Sequence, residues 1–246
     1  MKLSAPIYIL KQQAKALSQR DKVRLHVALD RVARREGFNA WSHLASVWQR
    51  VDTTRSVYEQ LHPGELILVG SRPGQGKTLL SIGLAIEAMT RGHRAAFFTL
   101  EATTADVDKL FEVLGRSPKE FKSKWLLDTA DGISAEHIAR RLDGQAPGAL
   151  VVVDYLQLLD QRRDNPSLDA QVRDLKALAR QSQSRVICLS QIARDYTLTS
   201  SAYPSLRDVR MPNPVDLSIF DRACFLQDGR MQLHPVCPSA KMQGQC

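Results

Sequence analysis

The sequence predicts an α/β domain with a mostly parallel central sheet, flanking helices and a closing C-terminal hairpin, preceded by a small all-α module. Three observations predict it. From Pro63-Gly64 onward short apolar, β-rich runs alternate with helical patterns, as strands and crossover helices do in a parallel sheet. A glycine-rich segment joins the first of these runs to the first of these helices. Before residue 51 the apolar residues recur only at helical spacing, and the Lys/Arg excess is concentrated there.

The opening helical patterns are three. Ile7, Leu10, Ala14 and Leu17 make one stripe, Leu25, Ala28, Leu29 and Val32 a second, and Trp41, Leu44, Val47 and Trp48 a third. Gly37 ends the second helix in the C′ role and Asn39 is placed to cap the third. Three short amphipathic helices bury one another's stripes, which makes Phe38, Trp41 and Trp48 core residues. Residues 1–50 carry ten Lys/Arg and three Asp/Glu, net +7 of the chain's +8. Such a basic three-helix module suits contact with nucleic acid or another polyanion, and equally a solvated cationic face. A polar connector is expected over 51–62, the α/β domain over 63–235 and a tail over 236–246.

Within the α/β part the expected strands are 66–70, 95–100, 125–128, 150–155 and 185–190, with helices at 77–91, 104–114, 134–143 and 168–181. The order ends with runs at 223–227 and 231–234 around a turn at Asp228-Gly229, a hairpin. At 246 residues, 43% hydrophobic and 24% charged, the chain is large enough to bury a core and is neither disordered nor fibrous. No run approaches the roughly 18 apolar residues of a membrane span. The four cysteines show no metal-ligand or disulfide spacing. The first twenty residues are acid-free, as in a mitochondrial transit peptide, but no cleavage-like site ends the pattern, so the expected location is cytoplasmic.

The strongest chemical signal is Gly70-Ser71-Arg72-Pro73-Gly74-Gln75-Gly76-Lys77-Thr78-Leu79 between strand and helix. Gly74 and Gly76 let backbone N–H groups turn toward phosphate oxygens, and the helix behind them offers its positive end to the same anion. Lys77 would then meet the β/γ-phosphates and the Thr78 hydroxyl a Mg²⁺ ion, the parts of a nucleotide-binding P-loop. One position departs from GxxxxGK[ST]: Ser71 stands where the first glycine would be. A mere strand-to-helix turn is the alternative.

Asp154 ends the apolar run 150–153, where a carboxylate faces the crevice that ligands occupy in open α/β sheets and would hold Mg²⁺ through water; an ordinary strand-terminal Asp in a turn is the alternative. Glu101 ends the Phe97-Phe98-Thr99-Leu100 run and is the candidate base for an attacking water. Gln191 ends the 185–190 strand, where an amide senses a γ-phosphate or simply bonds to nearby backbone.

Together PGELILVGSRPGQGKT, AFFTLE, LVVVDYLQLL and VICLSQIAR resemble the RecA-like ATPase domain of the DnaB-type replicative helicases over about residues 57–228. Arg72-Pro73 inside the P-loop, Asp154-Tyr155-Leu156-Gln157 and Ser190-Gln191 carry the resemblance. It implies a RecA-like P-loop NTPase in which residues 71–79 bind ATP, Thr78 and Asp154 bind Mg²⁺, Glu101 is the catalytic base and Gln191 senses the γ-phosphate. It also implies that the 193–213 segment, with Arg194, Arg207 and Arg210, contacts single-stranded DNA phosphates; a plain surface excursion is the alternative. Arg162 and Arg163 are open to the same two readings. Ser205-Leu206-Arg207-Asp208 faintly echoes the family's next motif. The N-terminal module itself resembles small helical modules found beside glyoxalase-related domains, a likeness that carries no chemistry.

Two departures bear on function. Only about fifty unrelated-looking residues precede the ATPase part, and Met231 to Pro238 replaces the family's basic hairpin, without its Lys-x-Arg-x-Gly. Lacking an arginine finger, worth about 10³–10⁵ in rate in other NTPases, the chain is expected to turn ATP over slowly. The expected function is a single-stranded-DNA-dependent, helicase-related ATPase that assembles with nucleotide into homo-oligomers and has no membrane partner. The alternative is an ATP-dependent switch or scaffold acting on a protein partner without unwinding.

Overall fold

The computed structural model describes residues 3–5, 7–144, 146–160, 165–193, 196, 203–211, 213–227 and 230–236, without the side chains of 49–52, 158 and 160. Seven helices, α1 Ile7–Asp21, α2 Leu25–Arg35, α3 Trp41–Gln60, α4 Lys77–Thr90, α5 Thr104–Val113, α6 Ala135–Leu142 and α7 Leu168–Ser182, are described. Seven strands accompany them: β1 Leu66–Ser71, β2 Ala95–Thr99, β3 Trp125–Asp128, β4 Leu150–Asp154, β5 Arg185–Gln191, β6 Arg222–Gln227 and β7 Arg230–Pro235. They form one sheet in the order β3-β2-β4-β5-β1-β6-β7, parallel except for the antiparallel β6–β7 pair. The sequence's strand and helix order and its closing hairpin are all present; the turn residues Asp228 and Gly229 lie outside the described residues.

Strands β1, β2, β4 and β5 are buried along their length except at Gln191, so their side chains supply two cores, one on each face. Ile67, Val69, Phe97, Val152 and Leu189 meet α3, α4 and α5 on one face. Leu68, Phe98, Val151, Val153 and Val186 meet α6 and α7 on the other. This period-two alternation is what a strand buried on both faces requires. Thr103 and Asp106 close a capping box that starts α5, and Ser134 and Ser167 cap α6 and α7.

The N-terminal stripes pack as expected in most places: Leu10, Ala14, Ala28, Val32 and Leu44 are buried together, with Phe38 and Trp41 packed against them. Gly37 takes a φ of +86 just past α2, the C′ role. Two expectations change. Leu25, assigned to the second stripe, is 43% exposed because it is the first residue of its helix. Asn39 does not cap α3: Ala40 holds the cap position, and the Trp41 N–H donates instead to the Asp30 carboxylate of α2, at 2.8 Å.

The larger correction concerns residues 51–62. The expected connector is the second half of α3, a single helix of 20 residues. Its first half belongs to the N-terminal core through Leu44, while Val57, Tyr58 and Leu61 are buried in the α/β core. The Tyr58 ring lies under two guanidinium groups, Arg91 at 5.1 Å and Arg185 at 5.0 Å. Arg185 Nε also donates to the Leu61 carbonyl at 2.9 Å, and Arg91 to the Glu59 carboxylate at 2.7 Å. Partly desolvated cation–π contacts of this kind contribute about 1–2 kcal/mol each, enough to hold a polar-looking helix end down. Thr54 lies so close to α4 that a Cβ on Gly83 would stand 3.0 Å from its side chain, so the absence of a side chain at 83 sets the approach of the two helices.

Candidate nucleotide site

The carboxyl ends of β1, β2, β4 and β5 converge at one end of the sheet, and the segment predicted to bind phosphate leaves β1 there. Gly74 at φ +76 and Gly76 at φ +89 occupy the left-handed region, where glycine is favoured, and a Cβ on either would meet nothing within 4 Å. Ser71 explains the missing first glycine. It is still β1 strand, fully buried and paired in register with Gln191, so no left-handed backbone is needed there. Its hydroxyl donates to the Arg72 carbonyl at 2.8 Å. Pro73 is exposed and Gln75 half-buried on the loop, and α4 begins at Lys77 with Gly76 as its cap residue, leaving the first N–H groups of the helix facing the loop.

Lys77 Nζ reaches back to the Ser71 carbonyl at 3.5 Å. Burial lowers its pKa from the ordinary lysine value, and the Asp154 and Glu101 carboxylates oppose that shift. The Thr78 hydroxyl donates to Asp154 Oδ2 at 3.1 Å, joining the two expected metal-binding residues directly. Asp154 is 4% exposed, and burial pushes its carboxyl up to about 6; the Thr78 hydroxyl and Lys77 pull it back, while Glu101 adds to the rise. A cis peptide follows it, between Asp154 and Tyr155.

Glu101 is exposed just past β2, and its N–H donates to the Thr99 hydroxyl at 3.1 Å. Thr99 pairs with Asp154 across β2 and β4, which brings the Glu101 charge to bear on both Asp154 and Lys77. Gln191 is half-buried at the end of β5. Lys77, Thr78, Glu101, Asp154 and Gln191 therefore lie at the ends of neighbouring elements around one concave loop, whereas Leu79 sits one step further into α4. Thr78 and Asp154 offer a hydroxyl and a carboxylate oxygen, a donor pair suited to a hard cation that keeps waters and phosphate oxygens as its other ligands. Among the described residues no group of three His, Cys, Asp or Glu is placed to hold a metal ion.

The segment after β5 is less irregular than its composition suggests. Ile192 and Val209 form an antiparallel bridge, Arg210 N–H donates to the Gln191 carbonyl and Ala193 N–H to the Asp208 carbonyl, each at 2.8 Å. Arg207 and Arg210 are exposed on this returning limb; Arg194, Arg162 and Arg163 lie outside the described residues. Three contacts here escape sequence reasoning. Arg72, on the P-loop, donates to the Tyr196 carbonyl at 2.6 Å and lies 5.9 Å from its ring. The Gln157 amide donates to Ser190 at 2.8 Å and to the Arg210 carbonyl at 2.6 Å. Gln157 stood in the Asp-Tyr-Leu-Gln run, but nothing local marks its partners 33 and 53 positions away. Cys188 and Cys224 are buried free thiols, and burial pushes Cys224 up to about 12, which leaves it inert.

The model of the DnaB-like helicase C-terminal domain matches residues 106–217. The replicative DNA helicase DnaB of Leifsonia xyli subsp. xyli is 26% identical over 187 residues, 63% of this chain and 41% of that protein. The replicative DNA helicase DnaB of Synechocystis sp. is 29% identical over 181 residues, 61% of this chain and 21% of that protein. The chain thus spans between a fifth and two fifths of these relatives. Among solved structures, an isolated ATPase domain superposes with a TM-score of 0.57 at 20% identity, covering 74% of this chain and 80% of that one. A DnaB-like replicative helicase, solved in a study of its interactions with primase, gives 0.58 at 19% identity, covering 90% and 67%. The mostly parallel sheet with helices on both faces is the RecA-like P-loop NTPase fold of those domains. Among the described residues no helix is long and apolar enough to cross a membrane.

Proposed function

We infer the function from one premise, that the α/β part of this chain is a DnaB-type RecA-like ATPase domain: the protein binds and hydrolyses ATP, and single-stranded DNA stimulates it. The observation that carries the reading is the convergence of Lys77, the Thr78–Asp154 pair and Glu101 behind the Gly74–Gly76 cradle. In this proposal residues 71–79 hold the triphosphate, with backbone N–H groups and the α4 N-terminus turned to its oxygens. Lys77 places its charge on the β/γ-phosphates. Thr78 and Asp154 are the residues that would hold Mg²⁺, which when bound neutralises charge on the transferred phosphoryl group. Glu101 accepts the proton of the water attacking in line, and Gln191 passes γ-phosphate loss through its backbone bond to Arg210 into the segment after β5.

The basic module of residues 1–50, ahead of the ATPase domain, or the 193–213 segment with the arginines at 194, 207 and 210, is the proposed DNA contact; of the tail expected over 236–246, residues 237–246 lie outside the described residues. Nucleotide-dependent homo-oligomerisation and a cytoplasmic location complete the reading.

The test is ATP turnover with and without single-stranded DNA in the wild type, Lys77→Ala and Glu101→Gln. Lys77→Ala is expected to lose tight ATP binding in a folded protein. Glu101→Gln is expected to bind ATP and to hydrolyse it about 10²–10⁴-fold more slowly. Unchanged ATP affinity in Lys77→Ala would remove the phosphate-cradle assignment. If DNA leaves turnover unaltered and only nucleotide-dependent capture of a protein is seen, the switch reading replaces this one.

A further inference from the structure

Helix α1 is held to the rest of its module along one edge. Leu10, Ala14 and Leu17 are buried against Ala28, Val32 and Ala33 of α2 and Leu44 of α3. The opposite stripe of the helix is Tyr8, Lys11, Gln12, Lys15 and Gln19, which share one helical face and are all exposed. At 62%, Tyr8 is the most exposed large hydrophobic side chain among the described residues, whereas Phe38 and Trp41 of the same module pack against its core. A lone exposed ring is ordinary on a protein surface. What surrounds this one is not.

Residues 1–50 hold three acids, and each is engaged inside the module: Asp21 with Arg20 at 2.8 Å and Arg31 at 3.1 Å, Asp30 with the Trp41 N–H at 2.8 Å, and Glu36 with the Ser4 N–H at 2.8 Å. Lys11 and Lys15 therefore face solvent on a stripe that carries no carboxylate. They lie ~6 Å apart along the helix axis, and Tyr8 stands ~4.5 Å before the first of them. An exposed ring in line with two uncompensated cations matches a single strand of nucleic acid, which presents phosphates to the cations and the flat face of an unpaired base to the ring. Other anionic partners fit this stripe less well. A membrane surface takes up a helix by a broad apolar face, which four polar residues out of five do not make. In a duplex the bases are already stacked on one another, and an acidic protein would engage the lysines and leave the ring idle.

We propose that the outward stripe of α1 is a single-strand-binding surface, on which Lys11 and Lys15 hold backbone phosphates and the Tyr8 ring stacks on one base. The inference rests on the reading that single-stranded DNA is this protein's polymer, and it gives the N-terminal module a contact of its own, whatever the 193–213 segment contributes. Two parts of the binding are thereby separated on one helix. The lysines carry the salt-dependent part, and the ring carries a part that salt does not screen. Stacking makes no use of the Tyr8 hydroxyl, so phenylalanine serves equally well at this position.

The full-length chain is titrated into a fluorescently labelled oligothymidylate, and into a labelled duplex of the same length, over a series of salt concentrations with and without Mg-ATP, with anisotropy as the readout. The forms compared are the wild type, Tyr8→Ala, Tyr8→Gln, Tyr8→Phe and the double variant Lys11→Gln/Lys15→Gln, each checked for folding by circular dichroism. Two non-aromatic replacements are used so that the failure of one to fold leaves the other. Either is expected to bind the single strand about tenfold more weakly with the salt slope unchanged, and to bind the duplex as the wild type does. Tyr8→Phe is expected to keep wild-type affinity, and the double lysine variant to lower the salt slope by about 1.4, or 0.7 for each phosphate released. Wild-type affinity in a folded non-aromatic variant overturns the surface, as does an equal loss for single strand and duplex, a Tyr8→Phe as weak as Tyr8→Ala, or an unchanged slope in the lysine variant. A wild type that binds the single strand while every α1 variant binds like it overturns this inference and leaves the DNA reading standing. A wild type that binds no single strand under either condition overturns both.

Discussion

Replacing Asp154 with Asn is expected to stabilise the nucleotide-free protein at neutral pH while ending ATP hydrolysis. Asp154 is 4% exposed, and burial moves its carboxyl from the ordinary 3.8 to about 6. At 1.36 kcal/mol per pH unit that displacement corresponds to ~3 kcal/mol of preference for the neutral form in the folded state. The folded protein holds this proton between pH 4 and 6 where the unfolded chain has released it, so stability from this group falls as pH rises. Its contribution is fully present below about pH 4 and is lost as pH passes through about 6. An asparagine never ionises, and its side-chain oxygen still accepts the Thr78 hydroxyl that Asp154 accepts at 3.1 Å. Urea unfolding of both proteins from pH 4 to 8 is the measurement. The variant and the wild type are expected to match near pH 4 and to separate with rising pH until the variant leads by as much as ~3 kcal/mol near pH 8. A difference that does not change with pH, or a wild type that is the more stable at pH 8, refutes the argument that burial governs this carboxyl. In the proposed reaction a divalent cation bound at Asp154 would relieve that buried charge.

Three other outcomes are expected. Gly70→Ala would place a Cβ 2.8 Å from the buried Phe225 ring, so it should destabilise the protein by about 1–3 kcal/mol; a change below 0.5 kcal/mol in urea unfolding (roughly the level of a neutral surface substitution) would show that the ring has room to shift. Replacing the exposed Lys11, Lys15 and Arg24 by Gln should lower affinity for single-stranded DNA and flatten its salt dependence by about 0.7 for each phosphate no longer neutralised; an unchanged slope would return these residues to a solvated face. Sedimentation should find a monomer or weak oligomer without nucleotide and assembly with Mg-ATP, and strand-displacement assays no unwinding of long duplexes; a stable nucleotide-free hexamer that separates them would refute this.

The strands were legible because β1, β2, β4 and β5 are buried on both faces and therefore read as unbroken runs of Leu, Ile, Val and Phe. The order of Lys77, Glu101, Asp154 and Gln191 was legible because each lies at or just past the carboxyl end of a strand or at the start of the helix that follows one, all at the same end of the sheet. The second half of α3 was not. Asp52-Thr53-Thr54-Arg55-Ser56 has the composition of a connector, and what makes it helical is tertiary: Gly83 admits Thr54, and Arg91 and Arg185 hold Tyr58. The ties of Arg72 to Tyr196 and of Gln157 to Arg210 span 124 and 53 positions, so no local pattern records them. Asn39 looked like a cap because Asn suits that position, but Asp30, eleven residues before Trp41, takes the N–H instead.

The order of the strands also bears on how copies of this chain can meet. One border of the sheet is β3, only four residues long, and the other is β7, whose residues are exposed or half-buried and include Arg230, His234 and the terminal Pro235. A short border and a charged, proline-ended one both resist backbone pairing with a neighbouring molecule. Had β1 or β6 formed the border instead, an apolar, hydrogen-bonding ribbon would have invited permanent strand-by-strand annealing. Any association between copies of this chain is then left to side chains on its faces and loops, the kind of contact that the proposed nucleotide site would be able to make and break.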